Sequence, residues 1–177
     1  MNERTALLFR TAGPLSPLQR VALVTAGLAG WRRYVAAILL GALAAVALPP
    51  FDFAPVLWIA MPGLVWLEDG SADWRGSFAL GWSFGLGFFV AGLYWIGAAL
   101  LVDPGDYGWL LPFAVLGVPA GLGVFTGAAL VVCHETCRRC NVGGSPRILV
   151  FTVAWAGAEY LRGHILTGFP WNLLGYA

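Results

Sequence analysis

Lysine is absent from all 177 residues; the ten basic side chains other than histidine are arginines. Without lysine, the phosphate-binding loop Gly-x-x-x-x-Gly-Lys-Ser/Thr is excluded. Charge of either sign is scarce, at 11% of residues, where soluble domains carry about 25%. There is no Gly-x-Ser-x-Gly elbow and no His-Glu-x-x-His helix, so two common hydrolase signatures are missing. No internal repeat or low-complexity tract is found. The net charge is +1, with no basic patch interleaved with aromatics, so nucleic acid is not an expected partner. Cysteine is confined to Cys133, Cys137 and Cys140, whereas an extracellular disulfide framework would be spread along the chain.

What is present is apolar. Hydrophobic residues make up 59% of the chain and the mean hydropathy is +0.78. Nine Trp and 24 Gly agree with that class, since Trp marks lipid–water interfaces and Gly lets membrane helices pack closely. The composition predicts an all-α, polytopic membrane bundle.

Residues 1–33 form a basic N-terminal arm with five arginines against Glu3. Pro14 and Pro17 argue against one long helix there. Val21–Gly30 is too short to span, since a span needs ~20 residues; it lies on the membrane surface or extends the first span. Residues 34–177 supply about five candidate spans: Tyr34–Leu48, Val56–Leu67, Ser77–Val102, Trp109–Cys133 and Ile148–Leu161. Ala45-Val46-Ala47 resembles a signal-peptidase site, but the basic arm is long and more apolar runs follow, so the first span is read as retained. That span is short unless Trp31 joins it and Arg32 and Arg33 snorkel to the interface. Pro49, Pro50 and Pro55 make a rigid turn. Val56–Leu67, with Pro62, either spans with a kink or is the return arm of a hairpin. Gly81/Gly85 and the stripe Gly117, Gly121, Gly123 and Gly127 predict tight helix contacts or bending.

Charge then assigns sides. The arm, Glu68–Arg75 and His134–Arg147 share one side and hold nine of the ten arginines; the opposite side has only Arg162. The positive-inside rule places the N-terminus in the cytoplasm and Gly163–Tyr176 outside.

The stretch with most chemistry is Glu159–Tyr176. Glu159 and Arg162 share a helix face at a membrane boundary, where charge is costly. Gly163, Gly168 and Pro170 are expected to break the helix, and Phe169, Trp171 and Tyr176 suit the water–lipid boundary. The segment reads as a contact for a lipid-like molecule, with Arg162 suited to a phosphate; an ordinary helix end with an anchoring Trp accounts for the same residues. His164 lies one residue past Gly163 but has no visible nucleophile to serve. Cys133, His134, Cys137 and Cys140 share one face if the helix persists, yet zinc sites usually draw on two segments. No metal site and no cofactor is assigned, and the role of the cysteines stays open.

These pieces together resemble the N-terminal membrane portion of apolipoprotein N-acyltransferases. The resemblance rests on Leu48-Pro49-Pro50-Phe51-Asp52-Phe53 with Pro55, on Gly81–Gly97, and on Glu159-Tyr160-Leu161-Arg162-Gly163 running into Leu166-Thr167-Gly168-Phe169-Pro170-Trp171-Asn172 and Gly175-Tyr176. It implies a bacterial cytoplasmic (inner) membrane protein whose family transfers an acyl chain from a phospholipid donor to the N-terminal diacylglyceryl-cysteine of an apolipoprotein. The family's chemistry is a ping-pong reaction through a thioester on a Glu–Lys–Cys triad, carried by a nitrilase-like domain on the outer face. A Cys thiolate accepts and releases acyl groups well, Glu serves as base, and Lys meets the developing oxyanion.

The sequence ends at Ala177, before that domain, and has no Lys. No catalytic residue is therefore assigned, and the chain alone is expected to be inactive, as a fragment, a truncated product or half of a split enzyme. The resemblance carries over a supporting role only. Thr167, Gly168, Phe169, Pro170 and Trp171 resemble the family's loop below the active site, Glu159 and Arg162 would brace it, and Tyr94 and Trp95 would border the lipid entrance. The alternatives are a non-catalytic membrane scaffold or partner subunit and, less well supported, a small transporter. Asp52, Asp103 and Glu159 all fall near span ends, which counts against transport.

Overall fold

Glycine on two faces of one helix organises the bundle. That helix is α4 (Trp74–Leu93), and it lies between α2 (Trp31–Ala45) and α7 (Val118–Arg139). On one face, a Cβ at Gly87 would collide with the Ile38 carbonyl oxygen, and a Cβ at Gly41 with that of Phe84. On another, Gly81 and Gly85 sit against Thr126, Gly127 and Gly123. The Thr126 hydroxyl lies 2.8 Å from the carbonyl oxygens of both Gly81 and Gly123, and Trp82 Nε1 donates to Ala120 O at 2.9 Å. Backbone-to-backbone approach of this kind is how small residues join membrane helices. Of the predicted glycine stripe, Gly123 and Gly127 enter the contact; Gly121 faces open space.

The computed structural model describes residues 16–165, 168 and 171–177. The remaining helices are α1 (Pro17–Ala26), α3 (Leu57–Asp69), α5 (Ile96–Leu100), α6 (Pro104–Tyr107) and α8 (Pro146–His164). Among the described residues there is no strand. α3 packs on α2, α1 on α3, and α8 on α7. Leu64, Leu67, Leu80, Phe84, Phe88 and Leu130 form the buried centre, and Trp155 meets Phe84 edge-on at 5.7 Å.

Each predicted apolar run holds one long helix, with boundaries set by tertiary contacts. Two stretches are long and apolar enough to cross a membrane: Trp74–Leu93, with a mean hydropathy of 1.4, and the 36-residue helical run Pro104–Arg139, at 2.0. α3, at 13 residues, reaches only about 20 Å, short of the ~30 Å hydrocarbon core. It therefore has the length of a hairpin's return arm. The turn before it contains a cis Pro49–Pro50 bond and closes through Phe53 N–H to Val46 O at 3.1 Å.

Three expectations need correction. The run Ser77–Val102 is not one helix: α4 ends at Leu93, and after a turn at Tyr94 and Trp95 the short α5 places Gly97 beside Leu111 and Val115. The run from Trp109 reaches regular α-helix only at Val118, after a π turn at Phe113–Gly117. Pro112 and Pro119 bracket that turn, and proline removes a ladder donor and crowds the preceding turn. The helix then continues to Arg139, so the predicted polar loop at His134–Arg147 shrinks. Glu135 supports this last turn by accepting from Arg138 Nη2 at 2.7 Å and Arg139 Nε at 3.2 Å.

The third correction concerns Arg33. α2 does begin at Trp31, and Arg32 is exposed, but Arg33 is buried rather than snorkelled. Its Nη2 donates to Leu67 O at 2.9 Å and to Ser71 Oγ, and Nη1 donates to Gly70 O at 3.2 Å. Beside it, the Glu68 carboxylate accepts from Ser77 Oγ at 2.8 Å and Ser71 Oγ at 2.9 Å, and His134 Nδ1 lies 2.9 Å away. An Arg147–Asp69 ion pair completes this end. Helix starts (Arg33, Ser77, Arg147) and helix ends (Glu68, His134) therefore gather at one pole, rich in arginine.

Candidate functional site

The opposite pole is where α4 and α8 end. α8 runs through Gly163 to His164, so Gly163 does not break it as expected. Near a helix end, a glycine costs only about 1 kcal/mol relative to alanine. The chain leaves the helix at Ile165, which is extended, and Gly168 takes φ +76° with its N–H donating to Ile165 O at 2.9 Å. A Cβ at Gly168 would collide with the Gly163 carbonyl oxygen, so the position requires glycine on two counts. Thr167, Phe169 and Pro170 lie outside the described residues.

Glu159 and Arg162 point from α8 to the returning C-terminal segment. Arg162 Nη1 donates to Trp171 O at 2.7 Å and Nη2 to Asn172 O at 3.1 Å. Glu159 Oε1 accepts from Leu174 N–H at 2.9 Å. One helix turn thus holds three backbone groups of residues 171–174. The Arg162 guanidinium is buried, with its carbon 4.9 Å from the centre of the Phe89 ring on α4. Guanidinium planes favour such ring faces.

The braced segment carries Trp171 to Trp95, with ring centroids 5.8 Å apart. It also brings Asn172, at φ +55°, against Gly92; a Cβ at Gly92 would collide with the Asn172 Nδ2. Glu159, Arg162, Trp171 and Trp95 are therefore brought together, with Gly168 shaping the return. Tyr94 turns to the surface, as Tyr176 does. Gly92, Phe89 and Asn172 were not predicted site residues: nothing local distinguishes Gly92 from the other glycines of α4, and its partner lies 80 residues away in sequence.

Chemically this is a positioning device. The His164 ring stacks on Tyr160 at 4.1 Å and its Nδ1–H donates to Tyr160 O at 2.8 Å, which commits it to its own helix. The void between Arg162, Phe88, Phe89 and Trp155 is about 10 Å3, far below the few hundred Å3 of a ligand pocket. A groove of about 530 Å3 opens between α7 and α8, lined by Val132, Leu149, Val153 and Leu161, with no charged side chain in its walls. Its chemistry suits an alkyl chain rather than a head group.

Residues 40–177 match the family described as "Apolipoprotein N-acyltransferase N-terminal domain". Proteins named apolipoprotein N-acyltransferase are similar to the chain: 47% identical in Rhodopseudomonas palustris over 153 residues, covering 84% of this chain and 28% of that protein. In Brucella melitensis the identity is 46% over 84% of this chain and 29% of the relative; in Allorhizobium ampelinum it is 44% over 90% and 31%. The chain thus spans about three-tenths of the length of these relatives. It belongs to the apolipoprotein N-acyltransferase family, as its N-terminal domain.

Proposed function

We propose that this chain is the membrane portion of an enzyme that moves an acyl chain from a phospholipid to the N-terminal diacylglyceryl-cysteine of an apolipoprotein, in the bacterial inner membrane. Residues 34–177 supply about five membrane-embedded passes in this reading, with α3 as the short return arm of a hairpin with α2. Residues 1–33 are a cytoplasmic arm, and the pole bearing Trp171 faces outward. The chain's own task is to hold a nitrilase-like catalytic domain at the bilayer and admit its lipid substrates. Glu159, Arg162, Gly168 and Trp171, with Thr167, Phe169 and Pro170, form the support below that domain. Tyr94 and Trp95 border the lipid path. Without such a domain the chain is inactive.

The observation that carries this reading is the double brace from Glu159 and Arg162 to residues 171–174. It holds a Trp95–Trp171 platform at the arginine-poor pole, where amphipathic rings suit the interface. The test is a chimera in which this chain replaces the matching segment of the Rhodopseudomonas palustris relative, in cells depleted of their own enzyme. N-terminal acylation of a lipoprotein is read by mass spectrometry. Acylation by the chimera, and none by the chain alone, is the expected result. An expressed, membrane-inserted chimera with no acylation overturns the reading.

A further inference from the structure

α1 presents an apolar stripe that no described residue covers. Leu18, Val21 and Val24 are 72%, 53% and 71% exposed. At 100° per residue they span an arc of about 120°. Thr25 falls inside this arc, but its hydroxyl donates to Val21 O at 2.9 Å and needs no water. The other side of α1 packs on α3, and a Cβ at Gly70 would collide with Ala26 O. The helix is therefore fixed at the arginine-rich pole, with its stripe turned away from the other described residues. Its start is fixed too: Ser16 and Gln19 form a reciprocal capping box, and Pro17 opens the first turn.

Charge surrounds the stripe. Arg20 is exposed one turn before Val24. Arg32 and Arg75, at the starts of α2 and α4, are exposed beside Trp31 and Trp74, with guanidinium-to-ring distances of 6.0 and 5.3 Å. Among the described residues, none of these three arginines has an ion pair, unlike Arg138, Arg139 and Arg147. Apolar side chains flanked by unpaired arginines and exposed Trp match the boundary between acyl chains and anionic head groups.

We infer that α1 is a lipid-docking helix: Leu18, Val21 and Val24 enter the acyl layer of the leaflet at the arginine-rich pole, and Arg20, Arg32 and Arg75 bind anionic phospholipid head groups there. A ten-residue helix is about 15 Å long and cannot cross; it seats in one leaflet. The inference rests on the chain's membrane placement, and its test separates the two.

Benzoylphenylalanine is placed singly at Leu18, Val21, Val24, Arg20 and, on α8, the exposed Val153. The protein sits in phosphatidylcholine vesicles with and without phosphatidylglycerol. After irradiation, phospholipid adducts are expected at 18, 21, 24 and 153, with fewer at 20. Adducts at 153 but not on α1 overturn the inference and leave the membrane placement standing. Adducts at none of these positions overturn both. Cross-links from α1 to a second copy make the stripe a self-association surface and also overturn it. The combined change Arg20→Gln, Arg32→Gln and Arg75→Gln should weaken retention of phosphatidylglycerol in native mass spectrometry by up to about a hundredfold at low salt, since each basic residue near an anionic surface contributes roughly a factor of five. Unchanged retention removes the head-group half of the inference.

Discussion

Arg162 and Glu68 show what single residues contribute at the two poles. Arg162 serves two carbonyls with one fork, which the single ammonium of lysine cannot reproduce. Hydrogen bonds from a charged donor contribute about 1.5–3 kcal/mol each. Arg162→Ala should therefore lower stability by about 3 kcal/mol, with Arg162→Lys in between. Thermal unfolding in detergent measures this, and limited proteolysis should show the C-terminal segment released first. Glu68 lies past the apolar run, on a helix too short to span. Burial pushes its carboxyl above the usual carboxylate range, against the pull of hydrogen bonds from Ser77, His134 and Ser71. A carboxyl whose folded pKa is raised favours the folded state below its unfolded pKa, and that contribution is lost as pH rises through the folded value. Raising the pH from about 4 toward neutrality should thus cost the natural protein more stability than Glu68→Gln, which stays neutral. Melting temperatures of the two across that range decide it; parallel curves contradict the argument.

At the scale of helices, close approach of backbones governs the order α2–α4–α7. Gly87→Ala or Gly41→Ala would drive a methyl group into a carbonyl oxygen of the facing helix. Each should cost about 1–3 kcal/mol, while Gly121→Ala and Gly157→Ala, which meet open space, should be neutral or slightly stabilising. The same thermal measurement compares them. Much of this layer was legible. The five apolar runs located the long helices, and the Gly81/Gly85 spacing located one contact. What was not legible depended on direction in space. Arg32 and Arg33 are adjacent in sequence, yet 100° of helix rotation sends one to the surface and the other to the carbonyls of Leu67 and Gly70. Hydropathy continues unbroken past Tyr94, so it could not show that α4 stops at Leu93. Glu68 read as a loop charge because its partner His134 comes from a helix 66 residues on.

On the scale of the molecule, the two poles differ in kind. One collects the buried polar side chains Arg33, Glu68 and Ser77 from three helices, the part-buried His134 and the exposed arginines. The other has a single arginine, turned inward onto a backbone return, and two tryptophans in contact. In the candidate site, the spacing of Glu159 and Arg162 placed both on one helix face, while a bracing role for them was implied only by the family resemblance. The contact of Asn172 with Gly92 was not legible, because it joins two segments with no shared pattern. In the proposed reading the arginine-rich pole faces the cytoplasm and the Trp171 pole faces outward.

Thiol labelling in intact cells tests that assignment most directly. Cys140 is exposed at the arginine-rich pole and Tyr176 at the other. A membrane-impermeant maleimide should leave the natural chain unlabelled until the cells are opened, and should label Tyr176→Cys from outside. Labelling of the natural chain from outside, with Tyr176→Cys adding nothing, would invert the topology and contradict the account.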